Sequence, residues 1–413
     1  SYRRPSLKIM ILYMLMSGGA AVASLGKTLS YATVLGPEGF GLISLALLVV
    51  ALGSYLATFG LQDGLAREVP LRRGRGESVA ALRGTVFVSV FLGVSVLGIV
   101  VSGMGIIFAG HGLPKDAWWM GPFLMASVIF NVAQVDLQVR EQSGMQAGLL
   151  LAKSSVPLAV ILSTQHSWSA SDVLVLETVV QFTLSGIAIL KKSGKIFWRL
   201  DVAEAQRLSR MGLPFMGSSL AHNLAMNLDR WVVQWVFGIG ALGTYAFAMQ
   251  VVAAGLVVLN TIQMYVTPRW LRAWASEGDQ AALWRRAQFS LVLTSGVCVT
   301  SSIIGLFSAP IIVQHWWPAY EAALPLLPLV AVGAVAVSLG YFNVFFLAAN
   351  AGGKLVWVHG VTILILIPML AIFVWLGAPL EAYAIGFSAA RVLTLLLGWL
   401  SGRAAIMSAK HAS

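Results

Sequence analysis

Six ionisable residues stand inside or beside long apolar runs of this chain: Lys27, Arg230 and Arg391 on the basic side, Asp136, Glu177 and Asp229 on the acidic side. A charge placed in hydrocarbon costs at least a few kcal/mol, so each one needs a reason to be there. Fixed, desolvated cations offset part of the cost of moving a phosphate-like anion through a low-dielectric barrier. An acid in the same surroundings can take up a proton or a sodium ion. Lys27, Arg230 and Arg391 are therefore candidate anion ligands, and Asp229 and Glu177 are candidates for ion coupling. A structural reading stands beside the functional one: Asp229 pairs with Lys27, or Arg230 snorkels to the membrane surface. Asp136 reads as the cytoplasmic end of its span, because Arg140 lies one helical turn on.

Polar residues gather around one of these charges. His222, Asn223 and Asn227 precede Asp229 and Arg230 on one apolar run. His222, Met226 and Asp229–Arg230 recur at spacings of three and four, which is one helical face or its edge. They are read as polar lining of a cavity, or equally as helix–helix hydrogen bonds worth about 0.6 kcal/mol each on average.

The elements that carry these residues are membrane helices. Mean hydropathy is +0.83 and only 10% of the residues are charged, against roughly 25% in a soluble protein. Apolar stretches of about 20 residues recur along the whole chain, long enough to cross roughly 30 Å of hydrocarbon. A membrane β-barrel, whose strands alternate, does not give such runs. Twelve spans are expected, near 9–35, 42–62, 84–109, 117–138, 147–164, 173–190, 211–236, 243–266, 287–309, 322–347, 356–376 and 382–402. The first run is too long for a cleavable signal peptide and lacks its small-residue cleavage pattern.

Alternating the loops sorts the charges. One side collects the basic groups within 3–8, 67–83, 140–153, 191–210 and 269–286, with Lys354, Arg403 and Lys410, which makes 23 of the 27 Lys and Arg. The other holds Lys115 with Glu38, Asp116, Asp172, Glu321 and Glu381. The positive-inside rule puts the first side, with both termini, in the cytoplasm. Topology thus accounts for the net charge of +11, and no nucleic-acid partner is expected.

Residues 34–83 and 236–285 repeat one pattern 202 positions apart, with 12 identities in 50 including Gly36/Gly238, Gly41/Gly243, Arg67/Arg269 and Arg83/Arg285. Average residue usage gives about five by chance. Internal duplication in a hydrophobic chain is a mark of transporters. The halves are expected at 1–200 and 201–413, six helices each and equally oriented, related by a pseudo-two-fold along the membrane normal. The basic connector, 191–210, is either a helix at the interface or a solvated linker. Lys27 and Asp229 are themselves 202 apart, so the echo breaks at a charge.

Several motifs are set aside. Ala21 to Thr28 matches a relaxed P-loop, but it lies inside an apolar span with no preceding strand or glycine-opened loop. The six histidines have no metal-ligand spacing, the single Cys298 reads as a small buried residue, and no catalytic constellation stands out. The chain is read as a non-enzyme without a cofactor, beyond coupling to protons or sodium.

The stretch LGPEGFGLISLALLVVALGSYLATFGLQDGLAREV (35–69) resembles the turn from first to second helix in bacterial polysaccharide flippases of the multidrug/oligosaccharidyl-lipid/polysaccharide exporter superfamily. GLPFMGSSLAHNLAMNLDRWVVQWVFGIGALGTYAFA (212–248), with its Asp229–Arg230 pair, is similar to their seventh and eighth helices, and NVFFLAANAGGK (343–354) to their tenth-helix exit. The resemblance implies an all-α membrane protein of two six-helix bundles in a V around a central cavity. It implies a secondary flippase in the bacterial inner membrane that carries an undecaprenyl-pyrophosphate-linked oligosaccharide repeat unit, for O-antigen or exopolysaccharide synthesis, by alternating access. Lys27, Arg230 and Arg391 would then meet the pyrophosphate. A polysaccharide polymerase and a chain-length regulator are the implied protein partners. Twelve helices favour the polysaccharide type over the lipid II type. A cation-coupled multidrug exporter of the same fold is the rival reading, with a polymerase or ligase further off.

Overall fold

The computed structural model describes residues 7–110, 113–164, 167–190, 196–277, 280–336, 342, 345–346 and 352–412. Among the described residues the fold is all-helical, with one isolated bridge, Ala109 to Leu113, and no strand. The helices are α1 (Leu7–Thr58), α2 (Leu61–Gly74), α3 (Ala80–Ile107), α4 (Met120–Val139), α5 (Ser143–Ser163), α6 (Ala170–Leu190), α7 (Val202–Glu277), α8 (Gln280–Trp316), α9 (Leu326–Ala336), α10 (Gly352–Trp375) and α11 (Leu380–Ala412). Nine of the described helices are long and apolar enough to cross a membrane. Their outward faces carry Ile99, Leu190, Phe307 and Trp375, each more than 70% exposed. Apolar surface on that scale is unfavourable in water and is covered by lipid. The protein is a multi-pass membrane protein.

Two of the nine are broken in the middle. Gly36 in α1 has φ 64° and ψ −177°; Gly238 in α7 has φ 84° and ψ −175°. That region of backbone space is essentially closed to residues with a Cβ. The two breaks are 202 positions apart, so the sequence repeat is carried as one backbone device used twice. The breaks divide α1 and α7 where pairs of spans were expected (9–35 with 42–62, and 211–236 with 243–266). Of the expected 322–347 span, the structure describes α9 and a few residues beyond it. The side chains of 7–14, 254–280 and 405–412 lie outside the description. A Cβ built on Gly238 meets nothing within 4 Å, and neither does one on helical Gly186. Gly238→Ala therefore isolates the backbone strain, about 1–3 kcal/mol, and should lower the melting temperature in detergent. Gly186→Ala should leave it unchanged or raise it.

The chain divides into two compact units, Ser1–Leu220 and Ala221–Ser413. In the first, α1 lies against α5 through small residues. A Cβ on Gly26 would sit 3.5 Å from Leu158, and one on Gly19 3.7 Å from Leu151. Glycine at the contact lets helix backbones approach closely, which brings Lys27 and Lys153 into one neighbourhood. At the end of α4, Asp136 accepts from Arg83 at 2.6 and 2.9 Å and pairs with Arg140 at 2.8 Å. It is a terminal ion-pair hub with its two arginines buried around it.

The expected connector, 191–210, is described from residue 196 on and is part extended, part helical. Residues 196–200 run extended over the start of α3, where the Phe197 N–H donates to the Ala80 carbonyl and the Thr85 hydroxyl donates to the Arg199 carbonyl. Asp201 then caps α7, accepting from the Glu204 N–H at 3.0 Å. The first turns of α7 are clamped to α2: Arg207 reaches Glu68 at 2.9 Å and Arg72 reaches Glu204 at 2.5 Å. Burial pushes the Glu68 carboxyl up, but hydrogen bonds and charge from Arg207 and Arg72 outweigh it and hold Glu68 below its usual range.

In the second unit, Phe247 stacks on Tyr320 with centroids 4.2 Å apart. The Ser388 hydroxyl on α11 accepts from the Gly333 N–H and donates to the Leu329 carbonyl, which locks α9 to α11. Thr362 on α10 bonds Thr394 on α11 at 3.0 Å. These contacts fix the helices that carry Arg391 and His359.

Candidate functional site

The membrane-embedded charges form two clusters, one in each unit. In the first, Glu177 on α6 is the acceptor for everything around it. Its Oε1 accepts from Lys27 Nζ and from the Tyr31 hydroxyl at 2.6 Å, and its Oε2 accepts from Gln181 Nε2 at 3.1 Å. Lys27 is 8% exposed and Glu177 4%, so water does not satisfy either group and the pairing is structurally required. Lys153, on α5, lies with its ammonium 4.8 Å over the Phe130 ring and within electrostatic reach of Glu177 and Lys27. Among the described residues it has no hydrogen bond or ion pair. Sorting by loop groups Lys153 with the cytoplasmic cations; the structure puts it ten residues into α5, beside the Lys27–Glu177 pair.

The second cluster depends on the break at Gly238. Asp229 and Tyr245 lie in one continuous stretch, and a straight helix would hold residues 16 apart at about 24 Å. The chain turns at Gly238, and the Tyr245 hydroxyl donates to Asp229 Oδ2 at 2.6 Å. Asp229 is 1% exposed and Tyr245 fully buried. Arg391, on α11, donates from Nη2 to the Met226 carbonyl at 3.3 Å and lies 4.7 Å over the Phe387 ring. Among the described residues its Nε is buried without a partner, and so is Nε of Arg230. Arg230 and Arg391 both act on Asp229 through charge. His222 on the same face of α7 bonds His359 of α10 at 3.2 Å.

The structure therefore gathers Lys27 with Glu177, and Asp229 with Arg230, Arg391 and His222. Lys27 and Asp229 each find a partner inside their own unit, Glu177 and Tyr245. Asn227 donates to the Asn223 carbonyl within its own helix at 3.0 Å. Tyr31, Lys153, Tyr245 and His359 were not singled out from the sequence. His359 had a usable signal, a histidine in an apolar run. The two tyrosines had none, because a buried tyrosine reads like any other aromatic.

The two clusters share a formal charge. Lys27, Lys153 and Glu177 sum to one positive charge, and so do Arg230, Arg391 and Asp229. The wiring is reversed: base on the first helix and acid on α6 in one unit, acid on α7 and base on α11 in the other. Among the described residues no group of three or more His, Cys, Asp or Glu is placed to hold a metal.

A family model described as polysaccharide biosynthesis protein matches residues 6–274. The amylovoran biosynthesis protein AmsL of Erwinia amylovora is 24% identical over 203 residues, 49% of this chain and 52% of that protein. The matched stretch thus spans about half the length of that relative. Among solved structures, an inward-facing multidrug resistance MATE family transporter of the MOP superfamily aligns with a TM-score of 0.75 at 16% identity, over 98% of this chain and 99% of that one. A MOP superfamily transporter from Pyrococcus furiosus, described as having a binding pocket of reverse polarity, aligns with a TM-score of 0.65 at 17% identity, over 97% and 95%.

Proposed function

The chain belongs to the polysaccharide biosynthesis protein family and has the fold of MOP superfamily transporters, and from that premise we propose that it flips a lipid-linked oligosaccharide repeat unit across the bacterial inner membrane. The reading is of a secondary transporter with its basic loops in the cytoplasm. The cargo headgroup is a diphosphate of the undecaprenyl type. The observation that carries the proposal is the surplus cation in each buried cluster. An acid balances one base, and a second base is left over beside it: Lys153 in one unit, and one guanidinium of Arg230 and Arg391 in the other. A low-dielectric site with a spare cation is selective for an anion. Glu177 and Asp229 hold the cations in place and keep the empty site from carrying two unbalanced charges.

The multidrug reading draws on the same fold. It fits this charge balance poorly, since a cationic drug would meet net positive charge in both clusters. A lipid diphosphate meets charge of the opposite sign.

Lys153→Ala tests the reading without breaking an ion pair. In a host lacking its own flippase, the variant should accumulate to within about twofold of the parent level. Surface polysaccharide should fall at least about tenfold, roughly the 1.4 kcal/mol of a lost charge contact. Undiminished export at equal protein level would sink the cationic-headgroup reading.

A further inference from the structure

The second unit holds one more ionisable pair that anion recognition leaves unused. Nδ1 of His222 lies 3.2 Å from Nε2 of His359, with ring centroids 4.7 Å apart at 71°. At that distance one of the two nitrogens carries the proton and the other the lone pair. A neutral pair has two N–H groups on four nitrogens. The shared bond uses one N–H and one lone pair, so the outer two nitrogens are one N–H and one open lone pair in either tautomer. The pair therefore has room for one further proton, and that proton turns the shared bond into a charge-assisted one. A second added proton would break the bond.

The surroundings make that proton consequential. His359 is 1% exposed, and its outer Nδ1 is buried with no partner among the described residues. His222 is half-buried and offers the reachable nitrogen. Among the described residues the charged neighbour of both rings is Arg391 of α11, whose Nη2 donates to the carbonyl of Met226, one helical turn on from His222. On α7 itself, Asp229 and Arg230 lie two turns further on. On α10 and α11 the neighbouring Thr362 and Thr394 are neutral and bonded to each other. Neither ring has an acid for a partner among the described residues. A proton on the pair adds a positive charge beside Arg391, and the two repel. An anion held at Arg391 relieves that repulsion, so proton and anion stabilise each other, and the effect is reciprocal.

We infer that the His222–His359 pair is a one-proton binding site linked to anion binding at Arg391. That the anion is the cargo headgroup rests on the flippase reading above; the proton site itself stands on the geometry.

The test is a pH titration of the full chain in lipid nanodiscs, with imidazole nitrogens labelled for NMR, with and without inorganic pyrophosphate. The two rings should titrate together as one group taking up a single proton, and pyrophosphate should raise their midpoint by about half a pH unit, a threefold change in proton affinity. The melting temperature of each variant reports whether it is folded, and His315, exposed and outside the pair, serves as the internal reference for an isolated imidazole. His222→Gln and His359→Gln should each abolish the joint titration. Arg391→Gln should keep the joint titration and lose the response to pyrophosphate. Two independent one-proton titrations, or an unchanged His222 signal in His359→Gln, would overturn the inference. Joint titration in a protein that moves no lipid-linked saccharide in proteoliposomes would instead overturn the flippase reading and leave the proton site standing.

Discussion

Lys27→Ala should abolish export and lower the amount of folded protein together. Glu177 would be left buried, with only Tyr31 and Gln181 donating to it. Removing one member of a buried ion pair costs about 3–5 kcal/mol, and Lys153, which acts on Glu177 through charge without a hydrogen bond to it, offsets only part of that cost. A loss of that size is a large part of the stability of any fold. The single variant alone does not separate a structural role from a functional one. Lys27→Ala combined with Glu177→Gln does, because a neutral pair carries no orphaned charge and its cost is expected to be small. The double variant should regain most of the parent's level and melting temperature. Export should stay at least about a hundredfold down, near the 2.7 kcal/mol of two decades, if Lys27 meets the cargo. Full export by the double variant would reduce the pair to a structural brace. Tyr31→Phe removes a single hydrogen bond to the carboxylate and should cost about 1.5–3 kcal/mol, clearly less than the loss of Lys27.

These pairings show what could be read from the chain and what could not. The break at Gly36 was legible, because Gly36–Pro37 combines a residue free to take positive φ with one that has no N–H. The break at Gly238 was legible only through the echo, since Ile239 follows it in place of proline. A lysine or arginine in a loop is governed by topology alone, so loop charges speak to orientation and not to which side chains meet. The same logic misplaced Lys153: a lysine near the end of an apolar run has the same pattern whether its head turns outward or in toward Phe130. The partner of Lys27 was out of reach for a related reason. The repeat relates Lys27 to Asp229 by register, but a buried charge pairs with whatever helix is packed against it. Contact between α1 and α6 decides that, and nothing in the spacing of 27 and 177 encodes it. The start of α7 at Val202 is fixed by one local bond, the Glu204 N–H to Asp201.

The reversed wiring of the two clusters leads to the second large effect. Asp229→Lys should be the more damaging change, since it places a third cation with Arg230 and Arg391 in a site where Asp229 is 1% exposed. The Tyr245 hydroxyl would lose its acceptor as well. The loss of the acid alone is worth about 3–5 kcal/mol, and the added like charge deepens it, so little folded protein should accumulate. Adding Arg391→Glu converts the second unit to the arrangement of the first, with the base on the leading helix and the acid on the last. The exchanged pair, together with the unchanged Arg230, would sum to the same single positive charge as the natural set. The pair Asp229→Lys/Arg391→Glu should therefore recover several-fold more folded protein than Asp229→Lys alone, measured by fluorescence-detected size exclusion. Recovery should be incomplete, because a glutamate side chain cannot donate to the Met226 carbonyl as Arg391 does. If the double variant is no more abundant than the single, the net charge of the cluster is not what the fold requires, and the specific bonds from Arg391 and Tyr245 carry the stability. If Asp229→Lys is as abundant as the parent, the cluster is open to water in the membrane, and its surplus cation would have no desolvated anion to select.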